Sequence, residues 1–211
     1  MSQSNQEQIE LFTKKAEAVS AVVKRIGKLE EAYAYAVDVC VNKDACQLLL
    51  SGCENAISDA ASDLCVAKAS DKVMAAPKLA DDQYAELAKA AKKAGVKLIA
   101  DSLRNHLAGI DIGFAVADLG LAETGSLVLD SSSEDLRLST MVSEINVVVL
   151  PLSRLRATSY EAEAELLPMM QKAPNYLAFI TGASRTADIE RVLAVGVHGP
   201  LELHILLWED A

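Results

Sequence analysis

The stretch "INVVVLP" (residues 145–151) decides how the rest of the chain is read. Asn146 aside, it is an unbroken apolar run, rich in β-branched valines. Such a run reads as a strand covered on both faces, as in the middle of a parallel sheet. Working outward, further short runs look the same: "IGFAVAD" (112–118), "GSLVLD" (125–130), "VKLIA" (96–100) and "KVMAA" (72–76) before it, "YLAFIT" (176–181) and "LELHILLW" (201–208) after it. Helical patterns lie between several of them. "DDQYAELAKAAKKAG" (81–95) is acidic at its start, basic at its end and closed by Gly95, the charge order that suits a helix dipole. "SLRNHLAG" (102–109), "SYEAEAELLPMMQKA" (159–173, with a bend or stop at Pro168) and "SRTADIERVLAVG" (184–196) also read as helices. Strands alternating with helices predict an α/β fold with a mainly parallel sheet. "GFAVADLGLAETGSLVL" is too short between strands for a crossover and predicts a tight strand–turn–strand, which would make the sheet mixed.

The first third differs. Ile9, Phe12, Ala16, Val19, Val22, Val23 and Ile26 recur at a helical period, and Gly27 ends the run. A second helix is expected over Leu29–Val41 and a third around "ENAISDAASDL" (54–64). Residues 1–70 therefore read as a helical N-terminal extension to an α/β domain at 71–211. Their Ala-rich apolar faces would suit packing against a second copy of the chain.

Composition narrows the function. The 211 residues carry a formal charge of -10, which repels phosphate backbones and leaves no polybasic patch for an anionic membrane. Asp111, Asp118 and Glu123 interrupt the most apolar region, so no membrane-spanning run is expected. "MSQSNQEQIE" is polar and acidic, unlike a signal peptide, and the expectation is a soluble cytoplasmic protein. Cys40, Cys46, Cys53 and Cys65 contain no C-x-x-C pair. They read as small buried hydrophobes rather than as a zinc or iron–sulfur site, and no intrinsic cofactor is expected.

Three segments carry candidate chemistry. In "TGASRTADIE" (181–190), Gly182 allows a tight turn, Ser184 and Thr186 are possible N-caps, and Asp188 lies in the first turn of the expected helix. Such a start offers free backbone N–H groups to an anion, with Arg185 as a clamp; the alternative is an ordinary connection with Arg185 in an ion pair. In "AETG" (122–125), Glu123 stands in an apolar stretch beside Thr124 and Gly125. Its carboxylate must be hydrogen-bonded, paired with Arg185 or Arg137, or shifted upward in pKa. In "GVHGP" (196–200), His198 and Gly199 form a turn into the last strand. Open α/β sheets gather ligands beyond the C-terminal ends of their strands, which would bring the first two segments together as walls of one site.

"LGLAETGSLVL" (119–129), "TGASRTADIE" (181–190) and "GVHGPLELHILL" (196–207), in this order, closely resemble the LUD-domain family, the lactate-utilisation protein C (LutC/YkgG) group. The resemblance covers about residues 71–208. It implies a three-layer, Rossmann-like α/β domain of the NagB/RpiA/CoA-transferase-like type. It also implies a role in oxidising lactate to pyruvate beside partner subunits that carry iron–sulfur clusters. The "ETG" is similar to the "E-x-G" that holds a glutamate nucleophile in some CoA transferases, which makes Glu123 the catalytic candidate. The ligand would be a carboxylate, sugar phosphate or CoA ester. One departure stands out. Many relatives show "P-x-x-H" before the central strand, where this chain has "SEIN", with Ser143 and Asn146 in place of the Pro and the His.

Overall fold

The structure is a computed structural model that describes residues 3–43, 58–106, 109–186, 194–195 and 199–210. The predicted strand at 145–151 is β7 (Ser143–Pro151), and all nine of its residues are buried. It lies between β4 (Ile110–Val116) and β12 (Glu202–Trp208), parallel to both. Ile112 pairs with Ile145, and Glu202 pairs with Ile145 from the other side. Beyond β4 come β2 (Val73–Ala75) and β3 (Lys97–Ile99); beyond β12 comes β1 (Ala21–Ile26). The sheet order is β1-β12-β7-β4-β2-β3, and every pairing in it is parallel.

β1 corrects the reading of residues 19–26 as helix. Helix α1 (Gln3–Ala18) ends before them, and Ser20 turns the chain with φ 67°. Val22, Val23 and Ile26 fit a helical stripe by spacing alone. They are β-branched, however, and pair along β12 from Val22 opposite His204 to Ile26 opposite Trp208. An edge strand shows no clean alternation, which is why its pattern mimics a helix. Helix α2 (Leu29–Asn42) follows as expected, and helix α3 (Asp59–Ser70) overlaps the third prediction.

Two apolar layers sandwich the sheet. On one face α2 and α4 (Asp81–Lys93) pack Tyr33, Ala36, Cys40 and Leu87 against Met74, Phe114 and Val147. On the other face α1 packs Ile9, Phe12 and Ala16 against Val148, Leu150 and Ile205. The apolar faces of α1 and α2 are thus buried inside this chain. Phe12 and Cys40 are each fully buried, and burying such a side chain contributes roughly 1.5–3 kcal/mol. Cys40 is the small buried hydrophobe the sequence suggests; Cys65 is instead disulfide-bonded, and Cys46 and Cys53 lie outside the described residues.

The strand–turn–strand forms as predicted, but in a separate sheet. β5 (Leu119–Leu121) and β6 (Ser126–Asp130) pair antiparallel, flanked by β8 (Leu155–Arg156) and β9 (Leu177–Ile180). The main sheet therefore stays parallel, and the four-stranded sheet adds Leu127 and Leu155 to the core on the α1 side. Helix α5 (Glu134–Val142), capped by Ser133, leads into β7. Helix α6 (Glu163–Gln171) runs through Pro168 and packs Leu166 on β5 and β6.

The expected helix at 184–196 meets a second correction. β10 (Arg185–Thr186) and β11 (Ala194–Val195) pair antiparallel, with Arg185 opposite Val195. The helical spacing came from Ile189, Val192 and Leu193, which lie outside the described residues. The β-branched Thr186 and Val195 at the ends suit paired, extended backbone. Among the described residues no helix is long and apolar enough to cross a membrane.

Candidate functional site

A pocket of about 370 Å³ opens where the end of β9 meets the start of β12, beside α5. Its polar wall includes Arg137, Thr140, Asn146, Thr181 and Ser184; Met141, Ala178, Ile180, Pro200 and Leu203 supply apolar surface. It lies beyond the C-terminal end of β9 but at the N-terminal ends of β7 and β12, to which Asn146 and Leu203 belong. Backbone bonds brace this mouth: Ser184 N–H donates to Pro200 O at 3.0 Å, and Leu201 N–H donates to Glu144 O at 2.8 Å.

Arg137 is the charged group of the wall. Its Nη1 donates to the carbonyls of Ser131 (2.7 Å) and Ser132 (3.0 Å), which fixes the plane of the guanidinium. The Tyr176 ring centroid lies 5.3 Å from its central carbon, within range of a cation–π contact. Glu134, one turn earlier on α5, is engaged by Arg104, whose Nε donates to it at 2.8 Å. That partner holds the Glu134 carboxyl below the usual range. Among the described residues the pocket wall contains no carboxylate. In a chain with 30 acidic residues against 20 basic ones, such a surface favours an anion.

The sequence-predicted residues divide between this pocket and its neighbourhood. Gly182, Ser184 and Gly199 line it. Ser184 and Gly199 are in contact, since a Cβ on Gly199 would sit 3.2 Å from Ser184 Oγ. Arg185 is exposed on β10, and Thr186 follows it, so Ser184 and Thr186 open extended backbone rather than a helix. Asp188 and His198 lie outside the described residues.

Glu123, Thr124 and Gly125 form the turn between β5 and β6. Glu123 does not line the pocket; its Oε1 accepts a hydrogen bond from Ser159 N–H at 2.7 Å. The buried-carboxylate requirement is thus met by a backbone amide rather than by Arg185 or Arg137. A chain of hydroxyls connects the turn to the pocket. Ser126 Oγ lies 2.8 Å from Thr124 Oγ1 and 2.6 Å from Thr181 Oγ1.

The sequence departure at "SEIN" is part of the same wall. Ser143 Oγ donates to Asn146 Oδ1 at 2.7 Å, and Asn146 Nδ2 donates to Thr140 O at 2.9 Å. Both side chains are buried, and they fasten the start of β7 to the end of α5. Sequence reasoning missed Arg137 as a pocket residue, as well as Thr140, Thr181 and Tyr176. Only the basic residue six positions after a strand, followed by a serine–threonine pair, hinted at them. It also missed a buried charge cluster: Lys43 Nζ is 2.9 Å from Asp111 Oδ1 and 2.7 Å from Glu144 Oε2.

A model of the LUD domain matches residues 9–208, so the family pattern includes α1 and β1 as well as the α/β region that the motifs span. The chain is similar to Lactate utilization protein C of Geobacillus kaustophilus, 34% identical over 103 residues, which are 47% of this chain and 43% of that protein. It is similar to Lactate utilization protein C of Shouchella clausii, 33% identical over 47% of this chain and 44% of the relative. It is also similar to protein YkgG of Escherichia coli, 33% identical over 47% of this chain and 44% of the relative. The matched region thus spans less than half the length of these curated relatives. A DUF162 family protein from Deinococcus radiodurans has the same fold, with a TM-score of 0.59 at 12% identity over 97% of this chain and 98% of that one. With the family pattern running from α1 to the last strand, the chain belongs to the LUD-domain family.

Proposed function

We propose that this chain is an accessory, ligand-binding subunit of a cytoplasmic iron–sulfur system that oxidises lactate to pyruvate. It carries no redox group of its own in this reading; the clusters belong to its partner subunits. The pocket beside Arg137 holds a small anionic ligand. The observation that carries the reading is the pocket wall itself: one guanidinium, several hydroxyls and no carboxylate among the described residues. The names of the relatives as lactate utilization proteins support the pathway.

Native purification tests the partnership. Tagged chain drawn from lactate-grown cells at low salt should bring down iron-containing proteins with visible absorbance. Recovery of this chain alone, at every salt tried, would sink the accessory role. A second reading makes the chain an enzyme acting on a carboxylate, sugar phosphate or CoA ester, with Glu123 as the reacting carboxylate. The hydroxyl chain from Thr124 through Ser126 to Thr181 favours it, because it joins the Glu123 turn to the pocket.

A further inference from the structure

Resting on the anion-pocket reading above, the geometry points to one ligand class: a monocarboxylate with a branched or aromatic body, larger than lactate, rather than a phosphate or phosphate ester. Charge is the first argument. A phosphate group near neutral pH carries up to two charges and three acceptor oxygens, and protein sites usually meet it with several cations or a row of backbone amides. The described wall offers Arg137 and no lysine, and Ser184 N–H, the backbone donor nearest the turn, is spent on Pro200 O. One planar guanidinium matches one planar carboxylate.

Arg137 is also placed for that match. Two carbonyls hold Nη1, so the remaining N–H groups of the fork have a fixed direction. Tyr176 covers part of the ion and excludes water from it. Glu134 would compete for the same fork, but Arg104 holds it elsewhere. The fork therefore has little rotamer freedom to lose when a ligand arrives.

Size and polarity give the second argument. About 370 Å³ falls in the range of roughly 300–1,000 Å³ that encloses drug-sized ligands. A three-carbon acid would leave most of that space to water. Met141, Ala178, Ile180, Pro200 and Leu203 form the apolar part of the wall, and it needs a hydrocarbon to cover it. Thr181 and Ser184 stand beside it, with hydroxyls able to meet an oxygen next to the carboxylate. A branched or aromatic hydroxy acid satisfies all three demands together.

Calorimetric titration of the full chain tests this. The probes are acetate, lactate, pyruvate, hydroxyisocaproate, phenyllactate, inorganic phosphate and glucose phosphate. Hydroxyisocaproate and phenyllactate should bind at least about tenfold more tightly than lactate, and neither phosphate probe should exceed lactate. Arg137→Ala should weaken the tighter acids by about tenfold or more. Because Arg137 also braces a loop, Met141→Asp provides a second variant. Met141 is 54% exposed, so folding should tolerate the change, while the new carboxylate repels an anion. Lactate or a phosphate probe binding most tightly, and weakened by both variants, would overturn the ligand class but keep the anion pocket. Binding that neither variant alters, or no binding by any probe, would overturn the pocket as well.

Discussion

Lys43 at the end of α2 places its ammonium 2.9 Å from the Asp111 carboxylate on β4, with both side chains less than a tenth exposed. Glu144 on β7 shares the same ammonium, and the second Asp111 oxygen accepts Val73 N–H of β2 at 2.7 Å. One helix end and three neighbouring strands therefore meet on this cluster. Removing the cation would leave two carboxylates competing for a dry site. Lys43→Met should cost about 3–5 kcal/mol of unfolding free energy. Alkaline pH should erase part of the difference. Burial works against the Lys43 charge, but hydrogen bonds from Glu144 and Asp111 outweigh it and hold the ammonium above the ordinary lysine value. A raised folded-state pKa means the stabilisation is complete below about 10.5 and is lost as pH climbs through the folded value. Urea midpoints of wild type and Lys43→Met should stay well apart from neutral pH to about pH 10 and converge above it. A constant gap throughout would show that the ammonium charge is not what the cluster needs.

Gly125 and Gly182 both have left-handed backbone, with φ of 67° and 76°. A Cβ on Gly125 would come within 2.4 Å of Ala16 N; a Cβ on Gly182 would come equally close to Val19 O. The Glu123 turn and the pocket turn thus rest on the same end of α1. Either glycine changed to alanine meets both strain and overlap, so each should destabilise by about 1–3 kcal/mol or more. Thermal melts would read this as a clear drop in Tm. A Gly182→Ala protein with unchanged Tm would mean that the α1 end yields easily and does not fix the pocket.

The sequence showed the centre of the fold better than its margins. β7 was legible because burial on both faces removes alternation, and α4 because its charges follow the helix dipole. β1 was not, because Val22, Val23 and Ile26 satisfy a helical spacing while β12 supplies the pairing from the far end of the chain. The pocket was half legible. The 181–184 and 199–200 segments announce themselves through glycine, serine and proline, and they do meet. Arg137 had no such signal. It belongs to the pocket only because α5 is placed beside β9 and Tyr176 folds over its side chain, and neither relation has a local signature.

Glu123 offers a test that separates anchoring from catalysis. Its Oε1 accepts the Ser159 N–H, so it ties the β5–β6 turn to the segment before α6. Glu123→Ala should remove about 1–3 kcal/mol of stability, the range for a hydrogen bond to a charged group. Glu123→Gln keeps an acceptor there and should restore most of it. If Glu123 serves only as an anchor, anion binding beside Arg137 should be unchanged in the Gln variant. A Gln variant as stable as wild type, yet unable to support turnover of a carboxylate or CoA ester, would favour the enzyme reading instead.

Ser126 lies between Thr124 and Thr181, and its hydroxyl cannot donate to both at once. The three groups must agree on a direction: if Ser126 donates to Thr124, it accepts from Thr181. That arrangement sends the Thr181 proton away from the pocket and leaves its oxygen lone pairs facing the ligand side. The opposite direction leaves the Thr181 proton free for a ligand oxygen. Loss of Ser126 removes this choice, and the effect should then depend on whether Thr181 still has its hydroxyl. Ser126→Ala and Thr181→Val should therefore be non-additive, with a coupling of about 0.5–1.5 kcal/mol in unfolding free energy. The same cycle run on carboxylate affinity distinguishes the two directions. Ser126→Ala should weaken the ligand if Ser126 orients the Thr181 proton towards it, and should leave affinity level or improved if it draws that proton away. Additive effects on both stability and affinity would mean that the close approach of Ser126 to Thr181 carries no energetic link between the turn and the pocket.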